Sequence, residues 1–181
     1  MTCKPLADTT HRPRLRMPPL SAPLHIVLVN PEIPQNTGNI ARICAATGAH
    51  LHLVGTLGFA IDDKAVRRAG LDYWHLVRVF RHDDFDAFLR DTRLSQPPLL
   101  FTTAAKVTYL QAPFHPGCAL VFGAESCGLP DDITAAWPAS QYGIPTLSRS
   151  VRSLNLSNAV SIATYKALEI TGAFHGATLG V

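Results

Sequence analysis

From residue 24 onward, the chain alternates short apolar runs with segments of helical periodicity, and this alternation constrains the fold more than any other feature. Several of the runs are apolar on both faces, which is typical of parallel strands that are covered by helices on each side. We therefore predict a single α/β domain with a mostly parallel sheet and helices on both faces. The predicted strands cover residues 24–29, 51–54, 76–80, 99–103, 120–122 and 142–144.

The two ends of the chain do not share this alternation. Residues 1–23 are rich in proline and arginine, lack the apolar segment of a secretory signal, and carry four basic side chains against one acidic side chain. We predict a disordered extension over residues 1–23, with Met17 as an alternative start, a domain over residues 24–174 and a short tail over residues 175–181. Since the extension accounts for the whole net charge of +3, composition alone does not predict RNA binding.

The cysteines and the hydropathy indicate the class of protein. The cysteines form no CxxC pair, and no histidine spacing is typical of a zinc site, so we predict reduced thiols and no metal. No apolar run approaches the roughly 20 residues of a membrane span. These features predict a cytoplasmic protein that contacts no membrane. The cysteines are Cys3, Cys44, Cys118 and Cys127.

The first predicted helix begins near Asn36, which is a favourable N-cap residue. Its apolar stripe lies at helical spacing, whereas Arg42 projects roughly opposite to that stripe. We therefore expect Arg42 to contact something other than the core of its own domain. The stripe consists of Ile40, Ile43, Cys44 and Thr47.

The last predicted helix covers residues 155–171 and is apolar on two sides. One stripe contains Leu156, Val160, Ala163, Ala167 and Ile170. The far side adds Ile162, Tyr165 and Leu168. A helix that faced water on that side would rarely carry such residues, so we predict a homodimer contact there. The alternative is packing against loops of the same chain.

Three segments follow predicted strands, which is where open α/β sheets bind ligands. In residues 30–42, backbone N–H groups at Thr37 and Gly38 could approach a phosphate, with Arg42 one turn later. The alternative is an ordinary helix with a surface arginine. In residues 144–158, Arg149 and Arg152 precede a helix opened by Ser153 or Asn155, which suits an anion site. The alternative there is a capped helix with solvated charges.

The third segment covers residues 120–130. Gly123 and Gly128 allow a close backbone approach to a ligand, and Glu125 lies between them as an acceptor. A hydrolase would use Ser126 or Cys127 as its nucleophile, but the spacing is not that of a G-x-S-x-G elbow. An ordinary glycine-bounded turn is the other alternative.

Together and in this order, the three segments resemble the signature motifs of SPOUT methyltransferases, specifically the small RNA 2′-O-methyltransferases that act at the tRNA wobble position. The similarity covers residues 24–174 and includes the stretch 58–73. The resemblance implies a C-terminal deep trefoil knot, S-adenosyl-L-methionine (SAM) as the cofactor, and a homodimer with composite active sites.

The resemblance also implies roles for particular residues. Arg42 is the first catalytic candidate, with Asn155 and Tyr165 beside it, and Arg42 and Arg152 are the candidates for binding RNA. Between residues 145 and 154 the chain is one residue longer than its relatives, and Ala104-Ala105-Lys106 replaces their usual Thr-Lys-Gly. The implied cofactor contacts are Thr103, Gly123, Glu125, Ile144, Ser153 and Leu154.

The implied activity is methylation of the ribose 2′-hydroxyl of a wobble cytidine or uridine in the tRNA anticodon loop, with leucine tRNAs as the expected substrates. We expect Arg42 to bind the adjacent phosphate and orient the hydroxyl, because a guanidinium is very hard to deprotonate. The alternatives are methylation at another tRNA or rRNA position, a catalytically silent RNA-binding dimer, and a hydrolase based on Cys127 or Ser126.

Overall fold

The structure is a computed structural model that describes residues 14–59, 74–148 and 150–180. Within these residues, seven strands form one sheet: β2 (His25–Val29), β3 (His50–Val54), β4 (Val79–His82), β5 (Leu99–Phe101), β6 (Val107–Thr108), β7 (Ala119–Phe122) and β8 (Gln141–Gly143). Their order in the sheet is β4-β3-β2-β7-β5-β8-β6, and every pairing in it is parallel.

Helices cover both faces of this sheet, as predicted. On one face, α1 (Pro34–Thr47) and α4 (Leu156–Ile170) pack with Ile26 and Leu28 of β2. On the other face, α2 (Phe85–Thr92) and α3 (Asp131–Ala136) pack with Val27 and Val29. Because successive strand residues point to opposite faces, β2 contributes side chains to both cores, and this explains its continuous apolar run.

The strand order shows how the C-terminal part enters the sheet. β8 lies between β5 and β6, although it follows both of them in the sequence. The predicted α/β class and parallel sheet are therefore confirmed. The deep trefoil knot is compatible with this insertion and stays a prediction.

Two strand predictions need correction. The predicted strand over residues 76–80 begins only at Val79, because Trp74–Leu76 forms a turn of 3-10 helix. β6 was not predicted, and it is only two residues long. Local apolar patterns identify strands of four or five residues better than a two-residue edge strand.

Asn36 is not the N-cap of the first helix. α1 begins at Pro34, and the cap position is Ile33, which makes no side-chain cap hydrogen bond. Proline is favourable in the first turn because its missing N–H would have no helical partner there. Asn36 is instead the third residue of the helix, and it is buried in the first turn.

α4 agrees with its prediction at both ends but differs on its far side. Asn155 is the N-cap, and its side chain accepts a hydrogen bond from the Ser157 N–H. Leu168, which we assigned to the dimer face, is fully buried in its own core. Ile162 and Tyr165 do remain exposed, at 36% and 47%.

The described termini pair with each other. β1 (Arg14–Arg16) and β9 (Thr178–Gly180) form an antiparallel two-stranded sheet. Residues 14–16 of the predicted extension thus form a strand, and the predicted extension and domain boundaries stay predictions.

Several sequence predictions fall outside the described residues. They concern residues 1–13 with Cys3, residues 60–73 of the family-specific stretch, and Arg149. In the parts of the chain that the structure does describe, every helix is too short or too polar to serve as a transmembrane span.

Candidate active site

A cleft of about 940 Å³ opens where β5, β7 and β8 end. This volume lies near the upper end of the range for small-molecule sites. All six residues that we predicted as cofactor contacts line it, and so do Arg152 and Asn155. The three sequence segments therefore meet at one edge of the sheet. The six residues are Thr103, Gly123, Glu125, Ile144, Ser153 and Leu154.

The glycines of the second segment shape the wall of this cleft. Ala124 and Gly128 exchange two backbone hydrogen bonds of 3.0 and 2.9 Å, which close a tight loop over the residues between them. Gly128 has a φ of +77°, a value that favours glycine. A Cβ on Gly123 would overlap the backbone of Gly128 and Leu129. The absence of a side chain at Gly123 thus makes room for the backbone of its own chain, and not only for a ligand.

Glu125 joins this loop to the start of α1. Its carboxylate accepts hydrogen bonds from the Glu32 N–H at 2.9 Å, the Ile33 N–H at 3.3 Å and the Asn36 side-chain amide at 2.8 Å. An anion is favoured at a helix N-terminus, where backbone N–H groups lack helical partners. The anion beside the start of α1 is therefore Glu125.

The interpretation of Thr37 as a phosphate donor is wrong. Its side chain and backbone are fully buried, and its N–H donates to the Ile33 carbonyl at 3.3 Å. Gly38 is also buried. The first segment thus contributes to the site through the side chains that hold its loop, and not through an open helix terminus.

Glu32 makes the reciprocal contact, and sequence reasoning missed it. Its carboxylate accepts hydrogen bonds from the N–H of Ser126 at 3.0 Å and from its hydroxyl at 2.7 Å. Two glutamates therefore hold the first two segments together, each binding the other segment's loop. The only signal in the sequence for a role of Glu32 was its position within the first segment.

Asn36 connects the third segment to the other two. Its side-chain oxygen accepts a hydrogen bond from the Asn155 amide at 3.0 Å, while its own amide donates to Glu125. Asn155 in turn accepts from the Ser157 N–H at 2.9 Å and from its hydroxyl at 2.7 Å. The predicted catalytic residue Asn155 is thus fixed at the start of α4, with its side chain at the cleft.

Arg152 lines the cleft and contacts the second segment. Its guanidinium donates to the Ser126 carbonyl at 3.3 Å and, at 3.5 Å, to that of Glu125. This contact holds a cation at the mouth of the cleft. The arginine is exposed, so the remaining donors of its guanidinium can meet a ligand.

The hydrolase alternative gains no support from this arrangement. The Ser126 hydroxyl donates to Glu32, and the Cys127 thiol donates to the Gly128 carbonyl at 3.9 Å. Within the described residues, neither side chain hydrogen-bonds to a histidine that could act as its base. An activated nucleophile requires such a partner.

Arg42 and Tyr165 lie outside the cleft of their own chain. Arg42 is exposed on α1, and Tyr165 is exposed on α4 with its ring 6.0 Å from that of Phe174. A single chain therefore brings together Asn155, Arg152 and the predicted cofactor contacts, but not these two residues. The described residues of one chain therefore do not form a site that uses all of them.

Residues 23–165 match the SpoU rRNA Methylase family. The chain belongs to this family. Over 159 residues it is 48% identical to the tRNA (cytidine(34)-2'-O)-methyltransferase of Escherichia coli K12. The alignment covers 86% of this chain and 98% of that protein. The family membership thus agrees with the resemblance seen in the three segments.

Solved structures share the fold. One, from work on the 2-OH methylation of C/U34 on tRNA, has a TM-score of 0.75 and 43% identity, covering 83% of this chain and 98% of its own. An AdoMet-bound rRNA methyltransferase from Sinorhizobium meliloti has a TM-score of 0.73 and 25% identity, covering 84% of this chain and 58% of its own. The fold of this SpoU family member is therefore that of known RNA methyltransferases.

Proposed function

We propose that this protein transfers a methyl group from SAM to the ribose 2′-hydroxyl of the wobble cytidine or uridine in tRNA, with leucine tRNAs as substrates. The observation that carries the proposal is the cleft, where all three motif segments of a SpoU family member converge. The relative from Escherichia coli, which aligns over nearly its whole length, supports the wobble position. The choice of leucine tRNAs follows from the family resemblance, and the cytoplasmic location follows from the predicted reduced thiols and the absence of a long apolar run in the sequence.

The residues of the cleft suit SAM chemically. Ile144 and Leu154 offer apolar surface, and the hydroxyls of Thr103 and Ser153 make no hydrogen bond to another described residue. They can therefore hydrogen-bond to the polar parts of the cofactor. When bound, SAM supplies an activated methyl group, so the protein's tasks are alignment and stabilisation of charge.

Arg42 is our candidate for orienting the RNA. A guanidinium can bind a phosphate through two parallel hydrogen bonds and can stabilise charge that develops on the attacking oxygen. Since Arg42 lies outside the cleft of its own chain, the proposal includes a homodimer in which the partner's Arg42 reaches the cleft. Exposed apolar side chains on and after α4 support that contact: Ile162, Tyr165, Ile170 and Phe174.

The substrate is tested by incubating the purified full chain with labelled SAM and total tRNA, followed by nucleotide mapping. We expect label at the wobble ribose of leucine tRNAs. Label at another tRNA position, or no label in tRNA from a protein that binds SAM, would overturn the wobble assignment. Failure to bind SAM would overturn the methyltransferase proposal and favour a silent RNA-binding dimer.

The role of Arg42 is tested by Arg42→Ala, with Arg90→Ala on the exposed face of α2 as the matched control. We expect at least about a 100-fold loss of turnover for the first variant, with SAM affinity unchanged, because its charge acts on the RNA and the reacting oxygen. The control should keep full turnover. Normal turnover in Arg42→Ala would refute the assigned role.

The composite site is tested by mixing two inactive variants, Arg42→Ala and Asn155→Ala. If each cleft uses the partner's Arg42, a mixed dimer contains one intact site, and activity returns. If Arg42 serves the cleft of its own chain, each site in the mixed dimer keeps one defect, and the mixture stays inactive. Sedimentation of each variant checks that the dimers form.

A further inference from the structure

A cluster of three histidines lies at the amino end of the sheet, away from the cleft. His25 and His50 are the first residues of neighbouring strands and pair in register, and His52 follows on the same face as His50. One ring nitrogen from each histidine lies within 4.8 Å of the others. Nothing in the proposed methyl transfer uses these side chains.

Hydrogen bonds extend this cluster across the sheet. The His25 Nδ1 lies 2.9 Å from the His52 Nε2, and the His52 Nδ1 lies 2.9 Å from the His82 Nε2. The row ends where the His82 Nδ1 lies 2.9 Å from a carboxylate oxygen of Asp91. Four side chains from three strands and one helix thus form a continuous row.

The carboxylate sets the direction of this row. An ionised Asp91 only accepts hydrogen bonds, so a neutral His82 donates to it through Nδ1 and carries a lone pair on Nε2. His52 then donates to that lone pair through its own Nδ1. The Nε2 of His52 is left with a lone pair, which points toward His25.

We propose that His25, His50 and His52 bind a divalent transition-metal ion such as Zn²⁺. A solvent molecule would be the fourth ligand. Nitrogens that bind one tetrahedral Zn²⁺ at about 2.1 Å stand about 3.4 Å apart, so the two rings, whose nitrogens are 2.9 Å apart, would separate by about 0.5 Å to admit the ion. The ion would take the place of the proton between these two rings. Imidazole ligands suit zinc, copper and nickel.

The surroundings hold one ligand rigidly and leave the others accessible. His52 is 2% exposed, and its ring stacks on Phe80 at 4.9 Å and meets the edge of Phe88 at 5.1 Å. His25 and His50 are half-buried, so an ion can enter from solvent between them. The site therefore combines a fixed ligand with an open side.

The row behind His52 is the outer support that such ligands use. A metal-binding histidine commonly donates its other ring N–H to a carboxylate or carbonyl, which fixes its tautomer and orientation. Here His52 donates to His82, and His82 donates to Asp91. The bound ion would join β2 to β3 at their amino ends and stabilise the folded state by mass action.

The site is tested by titrating Co²⁺ into the untagged, EDTA-treated full chain in a Cys3→Ser/Cys127→Ser background, which removes Cys3 and the exposed thiol of Cys127 as ligands. We expect one equivalent to bind, with visible absorption bands of four-coordinate Co²⁺ and a raised melting temperature. His50→Gln should weaken this binding by at least about 10-fold, whereas His175→Gln, at an exposed histidine outside the cluster, should not.

The outcomes separate a metal site from a purely structural row of rings. Absence of saturable binding in the parent protein, or equal affinity in His50→Gln, would overturn the proposal. Because His50 is half-buried, the metal-free His50→Gln protein should melt like its parent, which distinguishes a lost ligand from a lost fold. SAM binding by the same samples reports independently on the cleft.

Discussion

The two ends of β2 lead to regions that are built in different ways. Beyond its carboxyl end, Glu32 and Glu125 hold loops together through charged hydrogen bonds to backbone and side-chain donors. At its amino end, His25 begins a row of rings that ends on the carboxylate of Asp91. The first region depends on contacts between loops, whereas the second depends on strand register. Substitutions in the loops should therefore lower the free energy of unfolding more than a substitution of Asp91, at the exposed end of the row.

The largest loss of stability is expected for Gly123→Ala. The added Cβ would overlap backbone atoms that cannot rotate away, so we expect the free energy of unfolding to fall by about 3 kcal/mol and SAM binding to be lost. Gly128→Ala meets no atom but must keep a positive φ, so it should cost about 1 kcal/mol. Urea denaturation measures both changes, and equal losses would contradict the close approach at Gly123.

Glu125→Ala is expected to have the next largest effect. It removes an anion that accepts three hydrogen bonds at the start of α1, and we expect a loss of about 2 kcal/mol together with weaker SAM binding. Glu169→Ala removes an exposed partner of Lys166 and should cost less than about 0.5 kcal/mol. Thermal unfolding and SAM titration of both variants test this difference. An unchanged melting temperature in Glu125→Ala would show that the loops are held by other contacts.

Asp91→Asn tests the amino-end row and should cost less. The carboxylate is 63% exposed, so solvent weakens its contact with His82, and we expect a loss below about 1 kcal/mol. Turnover should stay normal, because the row lies away from the cleft. A loss as large as that of Glu125→Ala would remove the distinction between the two regions.

Modification of thiols is expected to have the smallest effect on stability. Burial raises the pKa of Cys44 to about 12 and also raises the pKa of Cys118, so near pH 8 both thiols stay protonated and unreactive. In a Cys3→Ser background, a thiol reagent should therefore modify only the exposed Cys127 in the folded protein, and all three cysteines after denaturation. Modification of Cys44 in the folded state would indicate that its core opens locally.

The fold was largely predictable because its main determinants are local. Strands that are buried on both faces have continuous apolar runs, and Asn155 has the chemistry of a helix cap. Asn36 has the same chemistry, but its amide binds Glu125 and Asn155, which lie far away in the sequence. Local sequence cannot decide between a cap and such distant partners. Leu168 was misplaced for a related reason, since α4 carries apolar residues on most of its surface.

The candidate site was predictable where its residues lie in short segments, and not where register assembles it. Each predicted cofactor contact belongs to a loop that follows a strand, so the parallel sheet brings these loops to one edge. The histidine cluster depends on the pairing of β2 with β3, which no spacing along the chain reveals. The alternation of His50 and His52 was the one local indication, because both must point to the same face.

The position of Asn36 between Glu125 and Asn155 also affects the order in which the protein matures. The cleft includes Asn155 and the first turn of α4, so a nascent chain cannot complete it until these residues have left the ribosome. A methyl donor bound in the cleft therefore cannot guide the early stages of folding. The central strands can pair earlier through backbone hydrogen bonds and apolar burial, and ligand-assisted consolidation can begin only once Asn155 is available.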